Sequence, residues 1–110
     1  MPFYLLQVAY TPESFKAMIA NPSDRKAVAT KVTEAAGAKL REFFFAFGKY
    51  DAVVLIEAPS DIVAAGAAMA VAGSGGFSAG ETTKLLTAEE AMEAMKVGQK
   101  VAAIYKPPAG

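Results

Sequence analysis

The polar side chains best placed to bind or react with a ligand lie at one turn and along the strand that follows it. Tyr50 and Asp51 belong to the turn Gly48-Lys49-Tyr50-Asp51, and Glu57 ends the apolar run that begins at Val53. Glu57 shares strand parity with Asp51, so both carboxylates face the same side of a sheet. A carboxylate on a buried face has a raised pKa unless a cation meets it, which makes Glu57 the sharpest candidate.

Three further residues complete this set. Arg25, Arg41 or a lysine of a second copy could supply the cation for Glu57, and Tyr10 adds a phenol at the end of the first apolar run. The ligand-binding candidates are therefore Tyr50, Asp51, Glu57, Arg25, Arg41 and Tyr10, and no residue is assigned a catalytic role. Tyr50 and Asp51 have a structural alternative as turn residues. Glu57 has one as a member of an ion pair, and Arg25 has one as a solvated helix residue.

Composition narrows the chemistry that such residues could support. The chain of 110 residues has 11 basic and 11 acidic side chains and contains neither His nor Cys. Without imidazole or thiolate it lacks the commonest general base and the commonest zinc and haem ligands, so we expect no cofactor and no metal site. The balanced charge argues against nucleic acid and anionic membranes as partners. The lack of Cys suits a reducing compartment, and we expect a cytoplasmic protein without a cleaved leader.

The apolar pattern predicts four strands that can position these residues. Each run is rich in β-branched or aromatic residues and bounded by turn residues. The predicted strands are Phe3–Tyr10, Lys39–Phe47, Tyr50–Ala58 and Phe77–Leu86, with a tight hairpin at Gly48-Lys49. The uncharged stretch from Ile62 to Gly80 is mostly Ala and Gly, and we reject it as a transmembrane helix.

Capping residues predict the helices between the strands. A first helix opens at Thr11-Pro12-Glu13 and breaks at Pro22, where Asn21 caps its second part. A second opens at Ser60 and runs through Val71. The last begins at a capping box from Thr87 to Glu90. Its inner face is marked by Met92 and Met95, and Gly98 weakens it.

The order βαββαβ predicts an α+β, ferredoxin-like fold with a four-stranded antiparallel sheet, plus a C-terminal helix and tail. We expect residues 1–96 to form this domain and residues 97–110 to be an extension that packs on the domain or on a partner. Alternation in the second and third strands places large apolar side chains on both faces of the sheet. Since both helices cover one face, a second copy is expected to cover the other as a homodimer or higher homo-oligomer. The alternative is that the last helix folds back over it.

The segment from Gly48 to Asp61 resembles the GYD-domain family. The family pattern is a Gly-x-Tyr-Asp turn, a buried strand and then Glu-x-Pro with an acid opening a helix, which matches Gly48-Lys49-Tyr50-Asp51 and Glu57-Ala58-Pro59-Ser60-Asp61. Pro22 to Arg25 resembles an upstream step of the family, and Glu81-Thr82-Thr83 with Thr87 resembles its closing segment. The resemblance covers Phe3 to Met95 and implies a domain of the dimeric α+β barrel type. The turn also resembles, by analogy only, the ligand-binding domains of feast/famine transcription regulators.

The resemblance implies no particular reaction, ligand or pathway. We therefore favour a homo-oligomeric small-molecule-binding or accessory domain, because an acid stands at the edge of an apolar face. One alternative is a cofactor-independent monooxygenase or isomerase, with Glu57 or Asp51 as base and Tyr50 or Tyr10 orienting the substrate. The other is a purely structural interaction module.

Overall fold

A computed structural model describes residues 1–109 as a four-stranded antiparallel sheet with helices on one face. The sheet order is β2-β3-β1-β4. The predicted ferredoxin-like α+β fold with a C-terminal helix is confirmed. The elements are β1 (Phe3–Tyr10), α1 (Pro12–Ala20), α2 (Arg25–Ala35), β2 (Lys39–Phe45), β3 (Ala52–Glu57), α3 (Asp61–Ala72), β4 (Phe77–Leu85) and α4 (Ala88–Ala102).

Side-chain caps start the helices where the sequence predicts them, with one exception. Thr11, Ser60 and Thr87 each accept a backbone N–H at the start of a helix, and the capping box at Thr87 is complete. The prediction that Asn21 caps the second helical segment is wrong. Asn21 instead ends α1, because its N–H still donates to the Ala17 carbonyl, and the Asp24 carboxylate caps α2.

The sheet register separates the two faces. Tyr4 and Ile56 are directly opposite each other on the helix side, and they form the buried core together with Ala64 of α3. The opposite side, called here the open face, has no helix on it within residues 1–109. Its apolar members are Phe3, Leu5, Phe44, Val53, Leu55 and Leu85.

The predicted alternation in β2 is interrupted. A bulge between Leu40 and Glu42 puts Leu40 on the same side as Phe43 and Phe45, facing the helices. The open face of β2 therefore carries only one large apolar side chain, Phe44, which is 61% exposed. β2 also ends at Phe45, two residues earlier than predicted.

Helix α4 extends away from the sheet. Within residues 1–109, no other helix or strand makes a substantial contact with it. The radius of gyration is 17.9 Å, against about 13 Å for a compact chain of this length. Met92 and Met95 are exposed, so the prediction that they face the core is wrong. The last helix does not cover the open face, and that alternative is excluded in this structure. No helix in the described part of the chain is both long and apolar enough to cross a bilayer.

Candidate functional site

A cavity of about 390 Å³ lies between α2, α3 and the centre of the sheet. It exists because α2 packs towards β2 and α3 towards β4, which leaves the middle strands uncovered. Its floor is apolar side chains of β1, β2 and β3, and its walls are small or β-branched residues of the two helices. The lining includes Leu6, Val8, Phe43, Val54, Ile56, Val28, Val32, Ala67, Ala70 and Val71.

Among residues 1–109, Arg25 is the only charged residue that lines this cavity. It is the first residue of α2, directly after the Asp24 cap, and this position places its side chain at the edge of the cavity. The Arg25 Nε is buried and has no hydrogen-bond partner among residues 1–109. A buried guanidinium N–H without an acceptor is costly, so this end of the cavity favours an oxygen anion or carbonyl.

Tyr10 lies at the end of the same cavity, inside an aromatic cluster. Its ring is buried and packs against Phe15, Phe45 and Phe77, with centroid distances of 5.5, 6.0 and 4.9 Å. These contacts fix the ring as part of the wall. Of the six sequence candidates, Arg25 and Tyr10 are the two that line this cavity.

Asp51 does not line the cavity but holds the backbone of β1 beside Tyr10. Its Oδ2 accepts the Tyr10 backbone N–H at 2.9 Å, and its own N–H donates to the Val8 carbonyl at 2.8 Å. The Asp51 carbonyl also accepts the Ala46 N–H at 2.8 Å. Asp51 therefore joins the hairpin to the end of β1.

Glu57 and Arg41 form an ion pair on the open face, remote from the cavity. The Arg41 Nε donates to Glu57 Oε1, and the Glu57 side chain is 14% exposed. The cation that meets Glu57 is thus Arg41 and not Arg25. Because the bulge in β2 turns Arg41 towards β3, the pair forms between neighbouring strands.

Tyr50 also points to the open-face side of the sheet. Its hydroxyl donates to Glu81 Oε2 at 3.1 Å, and this hydrogen bond to a carboxylate raises the pKa of Tyr50. The Lys49 ammonium lies 5.6 Å from the Tyr50 ring centroid. The six candidates are therefore divided between the cavity, its supporting hairpin and the opposite face.

Comparison with known proteins identifies the family of the chain. The family model described as the GYD domain matches residues 4–95. The chain belongs to the GYD domain family. The Gly48-Lys49-Tyr50-Asp51 turn that suggested the resemblance is the connection in which Asp51 binds β1.

The GYD domain is also similar in fold to a protein of known structure. A structure titled "Crystal Structure of MtbAldR" is 12% identical, with a TM-score of 0.60, over 78% of this chain and 53% of that chain. The chain thus corresponds to about half the length of the solved chain, and the likeness concerns the fold alone. Among curated proteins, no significant match is found.

The GYD domain carries a second polar cluster that the sequence analysis did not find. The Tyr4 hydroxyl donates to Asp61 Oδ1 at 2.5 Å, and the Lys84 ammonium lies 2.9 Å from the same oxygen. The Tyr4 hydrogen bond and then Lys84 lower the pKa of Asp61. The hydrogen bond to Asp61 raises the pKa of both Tyr4 and Lys84.

This cluster borders a shallow cleft of about 390 Å³ beside α3 and β4. Only the positions of these residues in the fold indicate the cluster: Lys84 is directly opposite Tyr4 in the antiparallel register, and Asp61 begins α3 next to them. Asp61 was recognised only as an acid in a first helical turn. Since its three members satisfy one another, the cluster holds α3 to the sheet.

Proposed function

We propose that this GYD domain binds a small molecule in the cavity between α2, α3 and the sheet, and that it works as a homo-oligomer. The ligand has an apolar body and an anionic or carbonyl head that accepts a hydrogen bond from Arg25. The observation that carries the proposal is the buried Arg25 Nε, which has no hydrogen-bond partner in the described part of the chain and lies at the edge of a mainly apolar cavity.

The cavity lining supports the apolar body of this ligand. Aliphatic side chains dominate it, and the polar groups present are largely engaged: the Thr33 hydroxyl donates to the Ala29 carbonyl at 2.7 Å. Pockets with a mainly apolar wall and few placed polar groups are typical of small-molecule sites. Arg25 then supplies the orientation, because a guanidinium binds carboxylates and carbonyls directionally.

The open face supports self-association. Phe44 is exposed at the edge strand, and Leu5, Val53 and Leu55 lie beside it without a covering element in residues 1–109. An apolar patch of several hundred Å² is at the upper limit for a soluble monomer. A two-fold contact between open faces would cover it, and the absence of Cys suits an assembly in a reducing compartment such as the cytoplasm.

The enzyme alternative receives less support from this geometry. Glu57 is bound to Arg41 and Asp51 to a backbone N–H, so both proposed bases already accept strong hydrogen bonds. Neither lines the cavity. A purely structural module is favoured over binding only if the cavity closes in the assembly.

The ligand proposal is tested with 1-anilinonaphthalene-8-sulfonate, an apolar anion whose fluorescence rises on binding. Wild type and Arg25→Gln are titrated, with Lys31→Gln as a control, because Lys31 is an exposed cation on the same helix. Losing a hydrogen bond to a charged group costs about 1.5–3 kcal/mol, so Arg25→Gln is expected to bind roughly tenfold or more weakly. Equal affinities of wild type and Arg25→Gln would refute the assignment.

Competition with decanoate and decanol separates the cavity from the open face. Decanoate is expected to displace the probe from wild type more strongly than decanol, and Arg25→Gln is expected to lose that difference. The affinity of probe molecules that bind the open face is expected to be the same in wild type and Arg25→Gln, because Arg25 lies at the cavity. If decanol competes as well as decanoate in wild type, the anionic head is excluded.

Self-association is tested by sedimentation of wild type, Phe44→Lys and Phe47→Lys. Phe44 lies on the open face, whereas Phe47 is fully exposed in the hairpin turn at 107%. Phe44→Lys is expected to lower the assembled mass, and Phe47→Lys is expected to leave it unchanged. A wild-type monomer at micromolar concentration would refute this part of the proposal.

A further inference from the structure

A second, mainly apolar cavity lies beside the one that Arg25 borders. It has a volume of about 430 Å³ and lies between α3 and β4. It is called here the Gly80 cavity, and the first is called the Arg25 cavity. Both cavities share four lining residues: Leu6, Val8, Val71 and Phe77. The two spaces are therefore neighbours, one on each side of the second half of α3.

Small residues on both walls leave the Gly80 cavity empty. Gly80 is directly opposite Val8 in the sheet, and Ala68 and Ala72 line the cavity from α3. The φ of Gly80 is not positive, and a Cβ added there would lie 3.7 Å from its nearest neighbours, which is an ordinary contact. Neither the backbone conformation nor the packing of Gly80 therefore requires glycine, and a larger side chain there would enter the cavity.

Helix α3 is fixed to the sheet at its start and not above the two cavities. The Asp61 carboxylate accepts the Tyr4 hydroxyl at 2.5 Å, and Ala64 is 2% exposed. Within residues 1–109, Ala64 is the only buried residue of α3. Val71, which lines both cavities, is half-buried. The boundary between the cavities is thus formed by loosely packed side chains, and a narrow chain passes it by displacing the Val71 side chain.

The charged residues at the two cavities distinguish the ends of a ligand. Among residues 1–109, Arg25 is the only charged residue that lines the first cavity, and Glu81 is the only one that lines the second. The buried Arg25 Nε lacks an acceptor in that part of the chain. A carboxylate is attracted to Arg25 and repelled by Glu81, so the apolar end of the ligand lies in the Gly80 cavity.

We propose that the ligand is an unbranched fatty acid, with its carboxylate on Arg25 and its chain passing beneath Val71 into the Gly80 cavity. A single flexible chain can follow two cavities that are divided by the side chains of Leu6 and Val71, whereas a rigid ring system cannot. This inference rests on the proposed function, because Arg25 must bind the head before the chain is placed. It adds the second cavity to the site and defines the class of the ligand.

The length of the Arg25 cavity shows which acids need the second one. Its lining residues on β1 run from Leu6 to Tyr10, which is four steps of about 3.4 Å or about 14 Å in all. An extended chain advances about 1.2 Å per bond, so octanoate spans about 8 Å and tetradecanoate about 16 Å. Octanoate therefore fits in the Arg25 cavity alone, whereas the end of tetradecanoate must leave it.

Displacement of the anilinonaphthalene probe by these two acids tests the inference. Each buried methylene strengthens binding roughly fourfold. Ala68→Leu and Gly80→Val fill the second cavity from opposite walls, and each adds three carbons. Either variant is expected to weaken tetradecanoate at least about tenfold and to change octanoate by less than about twofold. Ala65→Leu is the control, because Ala65 is exposed on α3 and lines neither cavity.

Arg25→Gln separates a failure of this inference from a failure of the proposed function. It is expected to weaken both acids by similar factors. If it does so, but Ala68→Leu and Gly80→Val leave the ratio of the two affinities unchanged, the proposed function stands and the second cavity is refuted. If Arg25→Gln weakens neither acid, the proposed function itself is refuted. An equal loss of both acids in Ala68→Leu and Gly80→Val would also overturn the inference, because octanoate does not reach the Gly80 cavity.

A lysophospholipid distinguishes the free acid from the same chain carried by a membrane lipid. Tetradecanoyl lysophosphatidylcholine has an ester and a bulky head in place of the carboxylate. Because Arg25 is half-buried at the edge of its cavity, a compact anion binds it better than an uncharged ester beside a large head group. The lysophospholipid is therefore expected to displace the probe at least about tenfold more weakly than tetradecanoate. Equal or stronger displacement by the lysophospholipid would overturn the assignment to a free fatty acid.

Discussion

Enlarging Ala29 to leucine fills the cavity between the helices and the sheet from the α2 side. Ala29 is half-buried and lines the cavity of about 390 Å³, so the added side chain enters empty space without displacing its neighbours. Each buried carbon contributes about 0.8 kcal/mol, which gives roughly 2.4 kcal/mol for the change. Side-chain ordering subtracts about 0.5–1 kcal/mol. We expect a net gain of about 1–2 kcal/mol.

Thermal unfolding followed by circular dichroism measures this gain. For a domain of this size, 1 kcal/mol shifts Tm by about 4 °C, so Ala29→Leu is expected to raise Tm by roughly 4–8 °C. Ala27→Leu is the matched control, since Ala27 is exposed on the same helix and leucine and alanine have similar helix propensities. Its Tm is expected to change little.

The same variant links stability to binding. Leucine at position 29 occupies the space proposed for the ligand, so Ala29→Leu is expected to bind the anilinonaphthalene probe more weakly although it is more stable. A lower Tm would mean that the site is already filled and is being overpacked. A loss of stability in Ala29→Leu, or an equal gain in Ala27→Leu, would refute the cavity.

Three other changes test residues around the sites. Asp51→Ala leaves the Tyr10 N–H without its acceptor and should cost about 1–3 kcal/mol in urea unfolding, while Asp51→Asn, which keeps an oxygen there, should recover part of it. Because the pKa of Asp61 is lowered in the fold, its carboxylate stabilises the fold at pH values above 3.8, and this stabilisation is lost as the solution becomes more acidic. Because the pKa of Lys84 is raised, its ammonium stabilises the fold at pH values below 10.5, and this stabilisation is lost as the pH rises further. Asp61→Asn should flatten both limbs of the stability–pH curve, and unchanged limbs would exclude the cluster. Gly37 has a φ of +84°, so Gly37→Ala should lower the free energy of unfolding by about 1 kcal/mol and Gly37→Asn should lower it by less. An unchanged stability of Gly37→Ala would contradict this prediction.

Much of the fold was predictable because local signals agree with one another. Thr11, Ser60 and Thr87 cap helices by interactions within a single turn, so their side chains identify the starts. Four apolar runs identify four strands. The start of α2 was harder to predict, because Asn21 and Asp24 are both good N-cap residues. The hydrogen bond from the Asn21 N–H to the last turn of α1 decides between them, since it assigns Asn21 to the end of α1.

The candidate site was less predictable because it depends on distances between elements. Strict alternation would place Leu40 on the opposite face from Phe43 and Phe45, but a bulge between Leu40 and Glu42 puts all three on the helix side, and side-chain types do not reveal such a bulge. The cavity arises from the separation of α2 and α3, which no periodicity encodes. Tyr4, Asp61 and Lys84 come from three elements and meet only in the folded sheet.

The bonding state of the polar groups supports the proposed ligand-binding role more than acid–base catalysis. Within residues 1–109, Asp51 accepts a backbone N–H, Glu57 accepts an arginine N–H, and Asp61 accepts both a phenol and an ammonium. Each carboxylate is thus engaged by a donor of the protein itself, and none of the three lines the cavity between α2, α3 and the sheet. Arg25 differs from these carboxylates, because its buried Nε–H lies at a cavity edge and has no acceptor among residues 1–109. A donor that lacks an acceptor attracts an anion, and this imbalance favours a binding domain over an enzyme that removes protons.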